Sequence, residues 1–282
     1  MRKLFLITLC ATGILMLNAQ SIEMKASAGQ TYAKFNTATI LGHSVLECIY
    51  EYTVEDQELL ETRRYFDILQ IGQSISKYYA YPKFQVDSVI YSIDTSTITT
   101  QQAYNIFSTY GVGNASDFLI IKNNDYTMQI DGRVFTDRYT FDDKVSFSWT
   151  LEDEVRDICG YSCQKATTSF RGKKWTVFFT SDIPKANGPW KFMGLPGLIL
   201  QAEDENNEHS FRAIAIRNGK NPIYKENNRT IKTTREKFNK LESTYKNNTN
   251  DVTSGSQYAA KDLNGTEMAA YRKLFYNPLE IE

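Results

Sequence analysis

Residues 188–200 read GPWKFMGLPGLIL and constrain the fold more than any other stretch of this 282-residue chain. Two aromatic residues, Trp190 and Phe192, lead into the tetrapeptide GLPG at 194–197. There proline presets φ, and the glycine after it permits a positive φ, as a type II turn requires. Because the apolar run 198–200 follows at once, we predict a rigid turn that leads into a buried strand. We call residues 188–200 the signature segment.

Predicted β-hairpins flank the signature segment on both sides. Upstream, residues 164–170 and 174–180 surround Arg171-Gly172-Lys173, which is predicted to be a solvated turn. Downstream, residues 198–202 and 210–216 surround a polar pentapeptide. Alternate side chains of a strand share a face, so one face of the upstream hairpin is predicted to belong to the core. Its members are Trp175, Val177 and Phe179.

Short strand-like runs earlier in the chain predict an antiparallel meander. Residues 45–54 and 64–71 alternate in this way, and the charged residues 55–63 are predicted to link them. Strand character resumes at 76–79. Farther on, Asp131-Gly132 is a strong hairpin signal, so a turn is predicted there.

Helical periodicity interrupts the strand pattern in three places. Residues 99–110 combine threonine caps with apolar residues at helical spacing. Residues 233–245 begin with a sequence that resembles a capping box and continue with an apolar stripe. Residues 267–276 predict a last helix, which Pro278 would stop.

The first residues have the pattern of a secretory signal. Arg2 and Lys3 precede an apolar stretch, and the small residue Ala19 gives a cleavage site after it. No second apolar run approaches the roughly 20 residues that a membrane-spanning helix needs. We therefore predict a signal peptide at 1–19, export to the periplasm or cell envelope, and no transmembrane span.

Charge and motif content argue against several classes of function. The chain has 32 Lys and Arg against 33 Asp and Glu, which gives no electrostatic footprint for nucleic acid. No GxSxG, HExxH or CxxC pattern is present, and the two histidines, His43 and His209, are isolated. We predict no cofactor and no metal. A glycosidase-like acid pair among Asp182, Glu203 and Asp204 is disfavoured, because acids near strand ends are usually solvated.

Three cysteines remain after the predicted cleavage. They are Cys48, Cys159 and Cys163, an odd number that leaves at least one thiol unpaired within a monomer. A Cys159–Cys163 disulfide would need a turn between them, because an extended segment holds the two about 13 Å apart. The preferred interpretation is that one or more are small buried apolar residues, and their pairing stays open.

Several motifs occur together in a fixed order. They are LQIG at 69–72, SKYY at 76–79, GY at 160–161, CQKATT at 163–168, FRGK at 170–173, Trp175, IP at 183–184 and the signature segment. This set resembles the GLPGLI family, secreted envelope proteins of diderm bacteria named for the letters at 194–199. The similarity extends from about Tyr50 to Ile216, and the ending NPLEIE at 277–282 also resembles the family.

The resemblance implies a fold. The family is similar to a bowl-shaped N-terminal domain of some secreted peptide-N-glycosidases, so we expect an α+β protein with a curved, open antiparallel β-sheet. The sheet would form a bowl or half-barrel of roughly eight to ten strands with a few packed helices. Residues 20–282 would form a single domain, with a strand-rich core at about 45–217 and a helical part at about 232–277. Glycosidase activity does not transfer, because in those enzymes the chemistry lies in separate domains.

The signature segment is interpreted mainly as scaffold, in which glycines permit bends and aromatic residues bury area. Its aromatic and cationic side chains could also line the mouth of the bowl, so Trp190, Lys191, Phe192 and Arg171 are the candidate residues for binding a ligand or partner. The predicted structural residues are Gly188, Pro189, Gly194, Leu195, Pro196, Gly197, Leu198 and Ile199.

Three functions remain open. The first is a non-catalytic binding or accessory protein of the envelope, with a protein, peptide or glycan as partner. The second is a hydrolase that acts on envelope peptides or glycans, which requires convergent polar groups. The third is a carrier of an apolar ligand.

Overall fold

A computed structural model describes residues 31–112, 116, 119–249 and 274–281. The predicted signal peptide lies outside these residues. So does most of the helix predicted at 267–276, and its described part, 274–276, is not helical.

The described residues form fourteen strands and three α-helices. The strands are β1 (Ala38–His43), β2 (Leu46–Asp56), β3 (Glu61–Ile71), β4 (Ile75–Ala80), β5 (Leu119–Asn123), β6 (Thr127–Val134), β7 (Asp137–Lys144), β8 (Thr150–Ile158), β9 (Tyr161–Phe170), β10 (Lys173–Thr180), β11 (Leu198–Asp204), β12 (His209–Asn218), β13 (Pro222–Glu226) and β14 (Ile231–Lys232). The helices are α1 (Tyr81–Ile90), α2 (Thr100–Thr109) and α3 (Arg235–Asn247).

Twelve strands form one sheet in the order β14-β7-β6-β5-β4-β3-β2-β12-β11-β10-β9-β8, and β1 pairs with β13 in a separate ribbon. All pairings are antiparallel except that of β14 with β7. The predicted class, α+β with an open curved antiparallel sheet, is confirmed. The sheet has more strands than the eight to ten expected.

One ion pair measures how strongly the sheet curves. Strands β7 and β10 stand eight places apart in the strand order, which is about 38 Å along a flat sheet at about 4.8 Å per strand. Yet Arg171, in the turn before β10, holds Asp143 of β7 with an N–O distance of 2.6 Å. An arginine side chain reaches only a small part of that span, so the sheet curls and brings its two halves face to face.

The main core fills the inside of this curl. Alternate residues of the central strands point inward, and fully buried examples are Tyr50, Tyr78 and Trp175. Helix α3 also packs inside, through Phe238 against Phe141. A smaller apolar cluster on the outer face is covered by α1. Its buried members are Ile49, Ile68, Tyr79 and Phe84.

The two hairpins that flank the signature segment are confirmed. Strands β9 and β10 join through Arg171 and Gly172, which have φ of 45° and 82°. Two successive positive φ values are the geometry of a type I′ turn, which matches the twist of the flanking strands. The predicted helices at 99–110 and 233–245 are confirmed as well, with threonine caps at Thr99 and Thr234.

Two predicted connections are wrong. Asp131-Gly132 does not turn, because β6 continues through it to Val134. A Cβ at Gly132 would lie 2.4 Å from Cζ of Phe238, so this glycine makes room for α3. The charged residues 55–63 are mostly strand, and only 57–60 connect β2 to β3.

The predicted type II turn is also wrong in its detail. The positive φ falls at Gly194 (98°) and not at Gly197. Gly197 is required for another reason, because a Cβ there would lie 2.0 Å from the carbonyl oxygen of Thr180. The backbone of the signature segment thus lies directly against the end of β10.

Candidate binding site

Hydrogen bonds from Lys122 of β5 connect the signature segment to the opposite half of the sheet. Its buried ammonium donates hydrogen bonds to the carbonyl oxygen of Gly188 at 2.7 Å and to Oδ1 of Asn187 at 3.1 Å. It also reaches the carbonyl oxygen of Phe192 at 3.4 Å. Burial lowers the pKa of Lys122 well below its usual value. This lysine therefore holds the signature segment across the interior of the curl.

The aromatic residues of the signature segment are buried against the inner face of β10. The ring of Phe192 lies 4.9 Å from that of Trp175, and the ring of Trp190 lies 5.8 Å from it. Phe192 is fully buried behind the cavity described next, whereas Trp190 forms part of the cavity wall. Of the four candidate binding residues, the structure brings Trp190 and Lys191 to the cavity.

A cavity of about 150 Å³ lies inside the curl, between α3, the sheet and the final described segment, 274–281. We call residues 274–281 the tail. One side of the cavity is apolar and aromatic, and Arg133, Glu242 and Lys246 stand among the polar residues that line it. The aromatic lining consists of Tyr52, Tyr65, Phe141, Trp190, Phe238, Phe275 and Tyr276.

A cluster of charged side chains holds one end of the tail, at Glu280. Both Arg171 and Lys191 pair with Asp143 and with Glu280 of the tail, and Arg235 adds a contact to Glu280 at 3.3 Å. We call these five residues the charged cluster. Burial acts to raise the pKa of Asp143, but hydrogen bonds from Arg171 and the charge of Lys191 outweigh it and lower the pKa to about 2.

The prediction of a solvated turn at 171–173 is wrong. Arg171 belongs to the charged cluster, and Lys173 is buried and pairs with Asp204 at 3.0 Å. The curvature of the sheet brings Asp143 of the distant strand β7 to Arg171, whereas Asp204 reaches Lys173 from the adjacent strand β11. Arg171 itself does not line the cavity, but it binds Glu280, which does.

The other end of the tail is held by polar contacts at the ends of β2 and β12. Asn277 donates to the carbonyl oxygen of Glu55 at 2.7 Å, and its Oδ1 lies 3.2 Å from Nε2 of His209. The amide of Tyr276 donates to Asp56 at 2.9 Å. Desolvation lowers the pKa of His209, which keeps the ring neutral near pH 7.

A buried carboxyl group lies behind the cavity wall. Asp67 of β3 accepts hydrogen bonds from the hydroxyl of Tyr78, at 2.7 Å, and from Ser116, which lines the cavity. Desolvation outweighs both hydrogen bonds and raises the pKa of Asp67 to about 6. Asp67 therefore changes charge in mildly acidic solution.

The acids that flank the signature segment in sequence do not converge. Asp182 is exposed, Glu203 bonds Gln201, and Asp204 is engaged by Lys173 and the amide of His209. Within the described ranges, no group of three or more His, Cys, Asp or Glu is arranged to hold a metal ion.

The three described cysteines are unpaired. Cys48 and Cys163 are buried, as the interpretation as small apolar residues predicts, while Cys159 is exposed. Desolvation raises the pKa of Cys163 to about 11. Neither buried thiol therefore carries a thiolate near neutral pH. Across the part of the chain that the structure describes, no helix has the length and apolarity needed to cross a membrane.

Only part of the chain matches a known protein family. Residues 170–201 match the model of a family described as a protein of unknown function (Porph_ging). No curated protein matches. The resemblance to the GLPGLI family stays a prediction, because the matched model carries a different description.

Solved structures of PNGF-II are similar in fold at low identity. The structure in the P21 space group has a TM-score of 0.46 and 13% identity, and covers 78% of this chain and 39% of that chain. The structure in the C2 space group has a TM-score of 0.44 and 13% identity, with 78% and 38% covered. This chain thus spans less than half the length of those it resembles, and nothing about its activity follows.

Sequence reasoning did not find several residues of this site. Lys122, Asp143 and Asp67 lie in ordinary strand patterns, where nothing local distinguishes them from solvated residues. Glu280 does have a signal in the sequence, because it lies in the ending NPLEIE, which resembles the family ending. The pairing of Glu280 with Arg171 and Lys191 depends on the curvature of the sheet.

Proposed function

We propose that this protein is a non-catalytic binding module of the cell envelope, and that its partner occupies the groove formed by the cavity and the path of the tail. The observation that carries the proposal is the aromatic cavity with a charged cluster at one end. Concave sites that combine apolar walls with a few placed polar groups are the usual form of binding sites.

The size of the cavity favours a protein or peptide partner. Pockets for drug-sized ligands have about 300–1,000 Å³, whereas this cavity has about 150 Å³. With the tail in place, the cavity therefore has room for one or two side chains, as a protein or peptide partner would supply.

The state of the ionisable groups favours binding over catalysis. Lys191 and Glu280 at the cavity wall neutralise each other, and Asp143 has its pKa lowered to about 2, where it is a poor general base. Asp67, which lies behind the cavity wall, has its carboxyl covered by Ser116 and Tyr78. Export to the envelope is proposed from the N-terminal pattern of the sequence.

Site-specific photo-crosslinking in cells tests the proposal. A photoreactive residue at Asn239, on the cavity side of α3, is expected to capture a distinct envelope protein. The matched control is Lys174, whose side chain is 73% exposed at the β9–β10 hairpin away from the cavity. The proposal is contradicted if Asn239 captures nothing, or captures the same species as Lys174.

A further inference from the structure

We propose that the groove recognises a peptide segment that is neither helix nor strand and carries a carboxylate side chain, and that the tail occupies the groove as an internal mimic of that segment. This inference rests on the proposed binding function and specifies its partner. The partner is identified by its chemistry alone: an irregular backbone, an apolar side chain and, beside it, an acid.

The backbone of the tail is bound in the manner of a peptide ligand. It belongs to no strand or helix, yet three of its amides donate to other segments. Leu274 donates to the carbonyl oxygen of Lys246 at 2.7 Å, Tyr276 to Asp56 at 2.9 Å, and Ile281 to the carbonyl oxygen of Arg171 at 3.2 Å. Extended peptides gain affinity from such main-chain bonds and specificity from side-chain pockets.

The apolar side chains of the tail pack into the wall of the cavity. Phe275 and Leu279 are buried and line the cavity, and Arg63 lies 4.2 Å from the ring centre of Phe275. Asn277, which lies between Phe275 and Leu279 in the sequence, makes polar contacts with Glu55, Glu208 and His209. The tail thus presents two apolar anchors, Phe275 and Leu279, in a short stretch that is neither helix nor strand, followed at once by the carboxylate of Glu280.

Charge balance requires a carboxylate at the position of Glu280. With Glu280 in place, Asp143 and Glu280 together face Arg171 and Lys191, and the side chains of these four residues are 5–15% exposed. Without Glu280, the two cations would share Asp143 alone, with Arg235 close by. An unbalanced buried charge is strongly unfavourable, so a groove vacated by the tail selects another acid. A neutral or basic side chain would leave the excess positive charge buried.

Peptide binding to the full-length chain tests this inference. The probe is a fluorescent synthetic peptide of residues 276–282 (YNPLEIE), measured by anisotropy against wild type and Glu280→Gln. The substitution removes the charged anchor of the internal tail, so the peptide is expected to bind the variant about tenfold more tightly than wild type. A second variant, Leu279→Ala with Glu280→Gln, also removes an apolar anchor and is expected to bind at least as tightly.

The glutamate of the probe provides the specificity control. A peptide with Gln in place of its first Glu is expected to bind about tenfold more weakly. In the Glu280→Gln background, Arg171→Ala is expected to abolish binding. Arg171→Lys, which keeps the charge, should weaken binding less, and Lys174→Ala at an exposed neighbouring position should leave it unchanged.

Three outcomes would overturn the inference: no peptide binding to either tail variant, equal binding of the Glu and Gln peptides, or a wild-type dimer in which the tail of a second copy fills the groove. If crosslinking at Asn239 still captures a partner while the peptide fails to bind, the binding function stands and only the peptide inference falls. If both experiments fail, both are wrong.

Discussion

Single glycines decide how closely the signature segment approaches the sheet. Gly197 lies against the last residue of β10, where a Cβ would be 2.0 Å from a backbone oxygen that cannot rotate away. Gly188 faces Ile199, where a Cβ would meet the side chain at 2.8 Å. The GLPG motif is therefore constrained by packing as much as by turn geometry.

Gly197→Ala is expected to lower the free energy of unfolding by about 3 kcal/mol, because the backbone of β10 must shift to admit the methyl group. The measurement is urea denaturation followed by tryptophan fluorescence. Gly42→Ala is the matched control, since a Cβ at Gly42 has no atom within 4 Å, and its effect should stay within about 0.5 kcal/mol. Equal effects at the two glycines would contradict the packing explanation.

The buried carboxyl of Asp67 gives stability a specific pH dependence. Its pKa is about 6 in the folded protein, against about 3.9 in an unfolded chain. Between these values the folded state binds more protons, so the contribution of Asp67 to stability is present at low pH and is lost as pH rises through 6. His209 acts in the opposite sense, because its folded pKa is lowered.

Asp67→Asn removes this pH dependence and leaves that of His209 in place. The unfolding free energy of wild type minus that of the variant is expected to fall by roughly 3 kcal/mol between about pH 3.5 and pH 7. Urea denaturation at a series of pH values measures it. A difference that stays constant or rises with pH would show that Asp67 is not held in a desolvated site.

At the level of elements, local sequence patterns predicted most of the strands. The predictions were wrong where a residue is needed for a contact with an element distant in the sequence. The β9–β10 hairpin follows from a two-residue turn, and α2 from its Thr99 and Gln102 capping box. Helix α1 was missed because its aromatic and β-branched residues resemble a strand, although proline at its start was an available signal. The turn predicted at Asp131-Gly132 is absent because glycine is needed there for a different reason. It leaves room for the ring of Phe238 in α3.

The contact between Gly132 and α3 predicts coupling between two elements. Gly132→Ala is expected to cost about 2 kcal/mol, because the methyl group would overlap the ring of Phe238. In a Phe238→Leu background the same substitution should cost less than about 0.5 kcal/mol, since the smaller side chain leaves room. Urea midpoints of the four proteins measure the coupling. Additive effects would mean that α3 does not pack on β6 as described.

At the scale of the whole molecule, the sheet class was predictable but the site was not. Alternating strands and hairpin turns are local signals that predicted an antiparallel meander, whereas the open, curved form of the sheet was expected from the family resemblance. The charged cluster joins Asp143, Arg171 and Glu280 across a curl whose degree depends on the summed twist of twelve strands. No local pattern records that sum, so the sequence does not show that Arg171, expected in a solvated turn, pairs with Asp143 and Glu280.

The curl is the claim on which the cavity, the charged cluster and the bound tail all depend, and a single distance tests it. Spin labels are placed on Lys144→Cys at the end of β7 and Lys174→Cys at the start of β10, both exposed, in a chain that also carries Cys159→Ser. Pulsed electron paramagnetic resonance then measures the separation of the labels. We predict a narrow distribution well under about 38 Å, whereas a separation at or above that value, as a flat sheet requires, would contradict the account.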